Sequence, residues 1–188
     1  MSEPVLRVKN LKVYYYVEAG AVKAVDDVSF ELDFGVKMGL VGESGSGKST
    51  MALALMRMIK PPGKIVGGQM ILGGTDLVKL NEEQMRQLRL SRLAMIPQGA
   101  MNSLNPVMRI DKQLIDGMLD HNVIMSNEER VKRVNELLEM VDLPPKVAKM
   151  YPHELSGGMQ QRVTVAQSIS MEPDLIIENT TILTMNPM

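Results

Sequence analysis

Gly42-Glu43-Ser44-Gly45-Ser46-Gly47-Lys48-Ser49-Thr50 decides the fold of this chain, and the residues on both sides support that interpretation. The apolar residues 38–41 precede the stretch and predict a strand, while residues 51–56, M-A-L-A-L-M, predict a helix. Strand, glycine-rich loop and helix in this order, with the spacing G-x-x-x-x-G-K-S, form the P-loop pattern. A chance Gly/Ser turn before a lysine would match in about one chain in a hundred of this length. The stretch therefore predicts nucleotide binding.

The chemistry of this loop is anion binding. Glycines allow consecutive backbone N–H groups to turn inward around a phosphate chain. The first turn of the following helix adds unpaired N–H groups and the positive end of a dipole. Lys48 is expected to reach the β- and γ-phosphates, and the Ser49 hydroxyl is expected to hold Mg²⁺. The other candidate nucleotide-binding residues of the loop are Gly42, Ser44, Gly45, Gly47 and Thr50.

Length and composition limit the remaining possibilities. The 188 residues suffice for one domain with a small subdomain, and a hydrophobic content of 45% allows a real core. The net charge of −1 without a long basic run gives no argument for nucleic acid as a partner. Absence of cysteine fits a reducing compartment. The first residues do not resemble a signal peptide and no stretch is long enough to span a bilayer, so we expect a cytosolic chain that docks on a membrane protein.

The first half of the chain is dominated by strand patterns. Residues 5–17 and 22–32 read as two extended segments, and shorter strands are expected at 69–72 and 92–97. The helix after Lys48 is expected to end before Pro61-Pro62-Gly63. Asn81 and Gln84 have the spacing of a capping box that opens a short helix.

The pattern becomes helical between residues 111 and 140. Ser126 and Glu129 form a second potential capping box, and another helix is expected from about 156 to 170. A short apolar strand at 175–177 follows, so the order predicts an α/β core with a helical insertion between Gln98 and about Ser170. The two expected apolar stripes are Ile110, Leu114, Ile115, Met118 and Leu119, then Val131, Val134, Leu137, Leu138 and Val141.

A second motif identifies a family. Residues 155–162, L-S-G-G-M-Q-Q-R, together with the upstream P-loop and Gln98 between them, resemble the signature motif of ABC-transporter ATPases. The resemblance implies an α/β fold: a P-loop NTPase core with an antiparallel β subdomain and a helical subdomain. It divides the chain into a β subdomain plus P-loop core at 1–98, a helical subdomain with the signature at 99–170, and an incomplete return to the core at 171–188.

Further segments are similar to one subfamily, the oligopeptide/dipeptide/nickel importers. They are M-I-P-Q at 95–98, S-L-N-P at 103–106 and Y-P-H-E-L-S-G-G-M at 151–159. The resemblance implies an ATP-binding subunit that couples ATP binding and hydrolysis to transport of peptides or similar solutes. It also implies a second ABC ATPase subunit, transmembrane permease subunits and a place at the cytoplasmic face of the cell membrane. ATP would lie between the P-loop of one subunit and Ser156, Gly157 and Gly158 of the other.

The resemblance assigns roles to residues outside the two motifs. Gln98 would contact Mg²⁺ or the attacking water and report the state of the nucleotide to the permease. Tyr15 would stack on adenine, since rings supply a flat apolar surface; Tyr14 and Tyr16 are close alternatives. We expect His153 to be structural and His121 to be exposed at a helix end.

The chain departs from the family after residue 177. The family has an apolar strand and then Asp-Glu-Pro-Thr-Thr-Ala-Leu-Asp, whereas this chain has L-I-I-E-N-T-T-I-L-T at 175–184. With a two-residue gap, Glu178 matches the catalytic glutamate and the metal-binding aspartate is missing. Without a gap, Asn179 and Thr180 replace the acidic pair and Glu178 falls inside the strand. We prefer the gapped register, because a buried lone glutamate is costly.

Either register breaks the acidic pair, so hydrolysis by this chain alone is expected to be weak. No histidine follows His153 to act as the family's switch histidine, and the core sheet would be incomplete. The alternative hypothesis is therefore a hydrolysis-deficient regulatory module that pairs with an intact ABC ATPase subunit. A fragment, an incomplete sequence and a damaged gene copy all fit these departures.

Overall fold

A long antiparallel hairpin begins the protein. In the computed structural model, which describes residues 3–97 and 103–178, strand β1 (Leu6–Val17) pairs with β2 (Gly20–Leu32) on one side. On its other side β1 pairs with β3 (Gly63–Leu72), and β4 (Thr75–Asp76) completes a four-stranded antiparallel sheet in the order β2-β1-β3-β4. The extended segments expected at 5–17 and 22–32 are thus confirmed as strands.

One face of this sheet is apolar, and a bulge keeps it so. Leu6 and Val8 are buried, and after a register shift Leu11 and Val13 are buried too. Strict alternation would place Leu11 on the opposite face from Val8, since successive side chains alternate across a strand. The bulge includes Asn10, whose φ is 49°. It returns the apolar side chains to the core.

Two helices complete the first unit, which ends at Arg86, within α2. Helix α1 (Lys48–Leu55) buries Met51, Ala54 and Leu55. Helix α2 (Glu82–Leu88) begins with the expected capping box: Gln84 N donates to Asn81 Oδ1 at 2.8 Å, and Asn81 N donates to Gln84 Oε1 at 2.9 Å.

The strand expected before the P-loop is not formed among the described residues. Residues 36–43 lie in no strand, and Met38 and Leu40 are about half exposed. An apolar run becomes a strand only when a neighbouring strand supplies backbone hydrogen bonds, and periodicity does not reveal whether that neighbour is present. The expectation of a strand at 38–41 was therefore wrong for this structure.

In its described residues the second unit, from Gln87 onward, contains a parallel strand pair, three α-helices and two short 3-10 helices, Pro145–Lys149 and Pro152–Glu154. Strand β5 (Leu93–Ile96) pairs with β6 (Leu175–Glu178), in a register from Leu93 opposite Leu175 to Ile96 opposite Glu178. Arg92 Nε donates to Asp174 Oδ2 at 2.6 Å just before this pair begins. That ion pair fixes the starting register of the two strands.

Helices α3 (Ile110–Asp120), α4 (Asn127–Met140) and α5 (Gly157–Ile169) share one core. The capping box of α4 is confirmed, since Ser126 N donates to Glu129 Oε2 at 2.7 Å and Glu129 N to Ser126 Oγ at 3.2 Å. Two residues of the expected apolar stripes lie outside this core: Leu119 is 40% exposed and Val131 is 62% exposed. No helix in the described ranges has the length and apolarity needed to cross a membrane. Buried members of the core include Ile110, Leu114, Met118, Val134, Leu137, Leu138 and Val163.

Candidate nucleotide-binding site

The P-loop turns sharply into α1 through two glycines in the left-handed region. Gly45 has φ 82° and Gly47 has φ 90°. A Cβ added to Gly47 would lie 2.1 Å from the carbonyl oxygen of Ala24 in β2, whereas a Cβ on Gly45 would meet no described atom within 4 Å. Gly47 is therefore required by its contact with the sheet as well as by its dihedral angle, and this contact anchors the loop.

Lys48 is held against its own loop. Its Nζ donates to Gly42 O at 2.7 Å, to Glu43 O at 2.6 Å and to Ser46 Oγ at 3.2 Å. These three oxygens surround the ammonium group much as phosphate oxygens would. A nucleotide that recruits Lys48 must replace them, and the exchange is favourable because hydrogen bonds between charged partners are the stronger ones.

The N-terminus of α1 is open to an anion. Gly47 occupies the N-cap, no described side chain caps the helix, and its first turn carries no acidic residue. Ser49 is exposed and Thr50 is half-buried in that turn. Backbone N–H groups and the helix dipole thus face outward without a competing carboxylate, which suits a phosphate group.

The residues fit a magnesium ion that arrives with a nucleotide. The described ranges hold no group of three or more His, Cys, Asp or Glu that could bind a metal by itself. Mg²⁺ keeps several waters and uses one or two protein oxygens plus phosphates. The exposed hydroxyl of Ser49 would supply such an oxygen, and phosphates would supply the others.

The three consecutive tyrosines of β1 have different surroundings. Tyr15 is half-buried, and its ring lies against Gly63, where an added Cβ would be 2.6 Å from a ring carbon. Tyr15 pairs with Val22 of β2, and Val22 is two residues before Ala24, whose carbonyl oxygen lies against Gly47. Tyr16 is 50% exposed, with Lys64 Nζ 6.0 Å from its ring centroid. Tyr15 and Tyr16 both keep exposed ring surface on which a base can stack.

Tyr14 is engaged in a polar cluster on the sheet. Its hydroxyl donates to Asp26 Oδ1 at 2.5 Å, Lys23 Nζ donates to Asp26 Oδ2 at 3.2 Å, and Lys23 lies 5.5 Å from the ring centroid. The hydrogen bond to Asp26 raises the pKa of Tyr14, and the bonds from Tyr14 and Lys23 lower the pKa of Asp26. Because Lys23 lies over its ring face and Asp26 holds its hydroxyl, Tyr14 is less suited than Tyr15 to stack on a base.

The signature residues open helix α5 in the second unit. Ser156 is the N-cap, and its Oγ accepts from Met159 N at 3.4 Å. Gly157 and Gly158 are exposed, and a Cβ added to Gly158 would meet no described atom within 4 Å. Nothing within the described chain therefore requires glycine at 158. A close approach from outside the chain would require it.

The turn before the signature is braced from inside α5. Gln160 Nε2 donates to Pro152 O at 2.7 Å and to Leu155 O at 3.3 Å. His153 is exposed and stacks on Tyr151 with ring centroids 5.6 Å apart. The motif did not reveal that Gln160 bonds to the turn before it. The one sign of this role was the position of Gln160 one helical turn after Ser156.

Of the two residues expected to act in hydrolysis, Glu178 is described by the structure. Gln98 lies outside the described residues, as do Asn179 and Thr180. Glu178 is the last residue of β6, pairs with Ile96 and is exposed. The burial cost that favoured the gapped register therefore does not arise in this structure, and both registers stay open.

A methionine-lined groove lies on the second unit. It has a volume of about 410 Å³, and Met118, Met125, Met171 and Val123 form its apolar part. Ser170 lines the groove as well; it is 3% exposed, and its Oγ has no hydrogen-bond partner in the described chain. Charged side chains from α4 and Glu172 surround it. We call this feature the methionine groove.

Comparisons with known proteins agree with this geometry. A family model described as ABC transporter matches residues 25–178. The dipeptide transport ATP-binding protein DppD of Lactococcus lactis subsp. cremoris is 41% identical over 94% of this chain and 51% of that protein. The oligopeptide transport ATP-binding protein OppD of Escherichia coli is 41% identical over 94% of this chain and 52% of that protein. The chain thus spans about half the length of these curated relatives.

Solved structures support the same assignment. The ATP-binding cassette MJ0796, in a dimeric post-hydrolysis state bound to ADP and Pi, matches with a TM-score of 0.80 and 27% identity. The match covers 92% of this chain and 72% of that chain. Because the family model covers most of the sequence and includes both motifs, the chain belongs to the ABC transporter family of ATP-binding proteins.

Proposed function

We propose that the chain is the ATP-binding subunit of an ABC importer for oligopeptides, dipeptides or similar solutes. The observation that carries the proposal is the open N-terminus of α1 behind Lys48, where no described side chain caps the helix. Relatives named for dipeptide and oligopeptide transport support the class of solute.

ATP would enter by exchange of ligands at Lys48. The phosphates replace Gly42 O, Glu43 O and Ser46 Oγ around the ammonium group, while the backbone N–H groups from Ser44 to Thr50 cradle the chain. Ser49 and Gln98 would hold Mg²⁺, which neutralises phosphate charge when it is bound. Tyr15 would offer its ring to adenine.

A second ATPase subunit, identical or related, would complete the site. The cassette MJ0796 is described as dimeric with ADP and Pi. In the present chain Ser156, Gly157 and Gly158 form an exposed helix N-terminus, a geometry that suits the γ-phosphate of a nucleotide held by the partner. The free space around Gly158 supports this arrangement.

Permease subunits would dock at the methionine groove, and the chain would then sit at the cytoplasmic face of the cell membrane. Methionine side chains adapt their shape and are common in surfaces that receive an amphipathic helix. The surrounding charges would pair with polar residues at the edge of such a helix. A net charge of −1 gives no support for nucleic acid as a partner.

The expectation of weak hydrolysis favours a second candidate function. Because residues 178–180 read E-N-T, the acidic pair of the family is incomplete in either register. The chain would then be a hydrolysis-deficient regulatory module that binds ATP and pairs with an intact ABC ATPase subunit, with Glu178 as its only acidic candidate for catalysis.

Mg-ATP binding tests the proposal directly. Titration calorimetry on the parent chain should give a measurable affinity, and Lys48→Ala should weaken it by about tenfold or more, since a charge-assisted bond to phosphate is lost. Lys37→Ala, at an exposed lysine of the same unit, is the matched control and should bind like the parent. Equal affinity in the Lys48→Ala and Lys37→Ala variants would refute nucleotide binding at this loop.

A further inference from the structure

One side chain ties the segment before the signature back to helix α5. We call residues 152–155 the signature turn. Gln160 Nε2 donates to Pro152 O at 2.7 Å and to Leu155 O at 3.3 Å, and the two hydrogens of the amide suffice for both acceptors. The backbone N–H of Gln160 donates to Ser156 O at 2.9 Å. Gln160 therefore bonds to two successive carbonyls, those of Leu155 and Ser156.

These bonds set the direction of the backbone N–H groups that follow. A peptide group is planar, so fixing the carbonyl oxygen of Leu155 also fixes the N–H of Ser156. In the same way, fixing Ser156 O fixes the N–H of Gly157. The N–H groups at the exposed start of α5 thus take their orientation from Gln160, which lies one helical turn farther along.

The signature turn is itself fixed to the helical unit. Pro152 is buried, and Leu155 is 7% exposed and belongs to the core shared by α3, α4 and α5. Pro152 O also accepts from Leu155 N at 3.1 Å, which closes the turn. The side chain of Gln160 therefore connects the exposed signature to a packed core.

The first turn of α5 has little stability of its own. Gly157 and Gly158 lose more backbone freedom in a helix than any other residue type would lose there. The cap bond from Met159 N to Ser156 Oγ is 3.4 Å long, longer than an ordinary N–H···O bond. Without a second attachment this turn would fray, because the first N–H groups of a helix have no partner within it. Gln160 supplies that attachment.

We infer that Gln160 is a positioning residue, which aims the N–H groups at the start of α5 and the Ser156 hydroxyl at the nucleotide of a partner subunit. The inference rests on the proposed function, in which Ser156, Gly157 and Gly158 contact the γ-phosphate held by the partner. Gln160 acts through these residues, whereas the nucleotide site of its own chain lies in the other unit. Misdirected donors lose much of their effect, since hydrogen bonds weaken steeply with angle.

Gln160→Met tests this role, because methionine has nearly the length of glutamine and carries neither an N–H donor nor a charge. Surface plasmon resonance measures the association of an immobilised copy of the full chain with a copy in solution in Mg-ATP. We expect the association of Gln160→Met with itself to be about tenfold weaker than that of the parent, since hydrogen bonds to the phosphate are lost. The affinity of a single chain for Mg-ATP, measured by calorimetry, should stay within about twofold of the parent's.

The matched control is Asn135→Leu, which also exchanges an amide for an apolar side chain, at an exposed site on α4. It should associate like the parent. If Gln160→Met does not fold, Gln160→Asn keeps the amide but shortens its reach by one methylene group, and the same measurements apply.

A comparison of two mixed pairs separates positioning from a general structural defect. In the first pair the Lys48→Ala chain meets the Gln160→Met chain, so one site has both an intact P-loop and an intact signature. In the second pair the parent meets a chain that carries both changes, so each site contains one altered motif. Both pairs contain the same two substitutions. We expect the first pair to associate about tenfold more tightly, whereas a defect confined to the folding of α5 would weaken both pairs alike.

The outcomes distinguish the inference from the function on which it rests. Equal association in the two mixed pairs overturns the inference, as does a Gln160 variant that associates like the parent. A parent that binds Mg-ATP without associating overturns the inference and leaves nucleotide binding intact. A parent that binds no Mg-ATP overturns the proposed function and the inference together.

Discussion

The carbonyl oxygen of Ala24 occupies the space that a side chain at Gly47 would need. An added Cβ would lie 2.1 Å from that oxygen, and the φ of Gly47 is 90°. The last glycine of the P-loop is therefore required by the packing of the loop on β2, independently of any nucleotide. The contact joins the phosphate-binding loop to the sheet that carries Tyr15.

Gly47→Ala should therefore destabilise the first unit itself. The left-handed conformation costs a non-glycine residue about 1–2 kcal/mol, and displacing the Ala24 carbonyl adds about 1–3 kcal/mol as overpacking. Urea unfolding followed by circular dichroism measures the loss. Gly45→Ala is the control: its φ is 82° but no described atom lies near its Cβ, so only the conformational cost of about 1–2 kcal/mol applies. Equal losses in the two variants would contradict a role for the Ala24 contact.

A substitution at Gly158 is expected to change stability in the opposite direction from one at Gly47. No described atom lies within 4 Å of an added Cβ, and the residue is helical. Gly158→Ala should therefore raise the free energy of unfolding by about 0.5–1 kcal/mol, because alanine loses less backbone entropy in a helix. If a partner's nucleotide approaches this backbone, the same change should block association of two subunits in Mg-ATP.

Light scattering in the presence of Mg-ATP measures that association. The exposed Asn135→Ala substitution on α4 serves as the control and should not affect it. A Gly158→Ala chain that is more stable and still associates would argue against a nucleotide at the signature.

The strands and capped helices were predictable because their signals are local. Asn81 with Gln84, and Ser126 with Glu129, form the expected reciprocal bonds within four residues of sequence. The prediction of a strand at 38–41 was wrong because a strand needs a neighbouring strand as partner, and the local pattern does not specify one. For the candidate site, the P-loop could be located from its spacing, whereas the signature was identified through the resemblance to a family.

The parts of the site that could not be predicted depend on contacts distant in sequence. Nothing in the motif indicates that Ala24 lies against Gly47. Gln113 sits three residues after Ile110, on the apolar face of α3, and that position was the one available sign of a buried amide. Its partners come from a turn with no regular periodicity.

Acidification should weaken α4 through Glu129. Bonds from the backbone N–H and side chain of Ser126 lower the pKa of Glu129 from its ordinary value of 4.5. A lowered pKa means that the stabilisation is complete above the unfolded-state value and is lost as pH falls through the folded-state value. The stability of the parent relative to Glu129→Gln should therefore shrink below about pH 4.5.

Glu129→Gln is a sharp comparison because glutamine also serves in a capping box and only the charge is removed. Thermal unfolding at a series of pH values measures the difference. Glu128→Gln, at an exposed neighbour in the same turn of the helix, controls for the general effect of charge near a helix N-terminus. A pH profile of Glu129→Gln that is parallel to the parent's would exclude the proposed linkage.

His121 was expected to be exposed, and that expectation was wrong: the ring is half-buried between two backbone oxygens. Nδ1 lies 2.7 Å from Gly117 O and Nε2 lies 2.8 Å from Arg89 O, so the ring links the end of α3 to the residues after α2. His121→Ala should lower the free energy of unfolding by about 1–3 kcal/mol, since the ring N–H that donates to a backbone carbonyl is lost together with the packing of the half-buried ring. Chemical denaturation measures it, with the exposed His153→Ala as control and an expected loss below about 1 kcal/mol. Equal losses would contradict the linking role.

Residual ATP hydrolysis distinguishes the two registers after β6. If Glu178 corresponds to the family's catalytic glutamate, Glu178→Gln should remove whatever turnover the chain has, because a carboxylate that polarises water is replaced by an amide. If the ungapped register holds, Asn179 and Thr180 stand at the acidic positions, and Asn179→Asp combined with Thr180→Glu should raise turnover by about 10²-fold or more, the usual contribution of a positioned base.

Phosphate release by purified protein in excess Mg-ATP measures both effects, and the Lys48→Ala variant sets the background rate. Rapid turnover by the parent chain would contradict weak hydrolysis altogether. A double variant that is no faster than the parent, while Glu178→Gln falls to the Lys48→Ala background, would establish the gapped register.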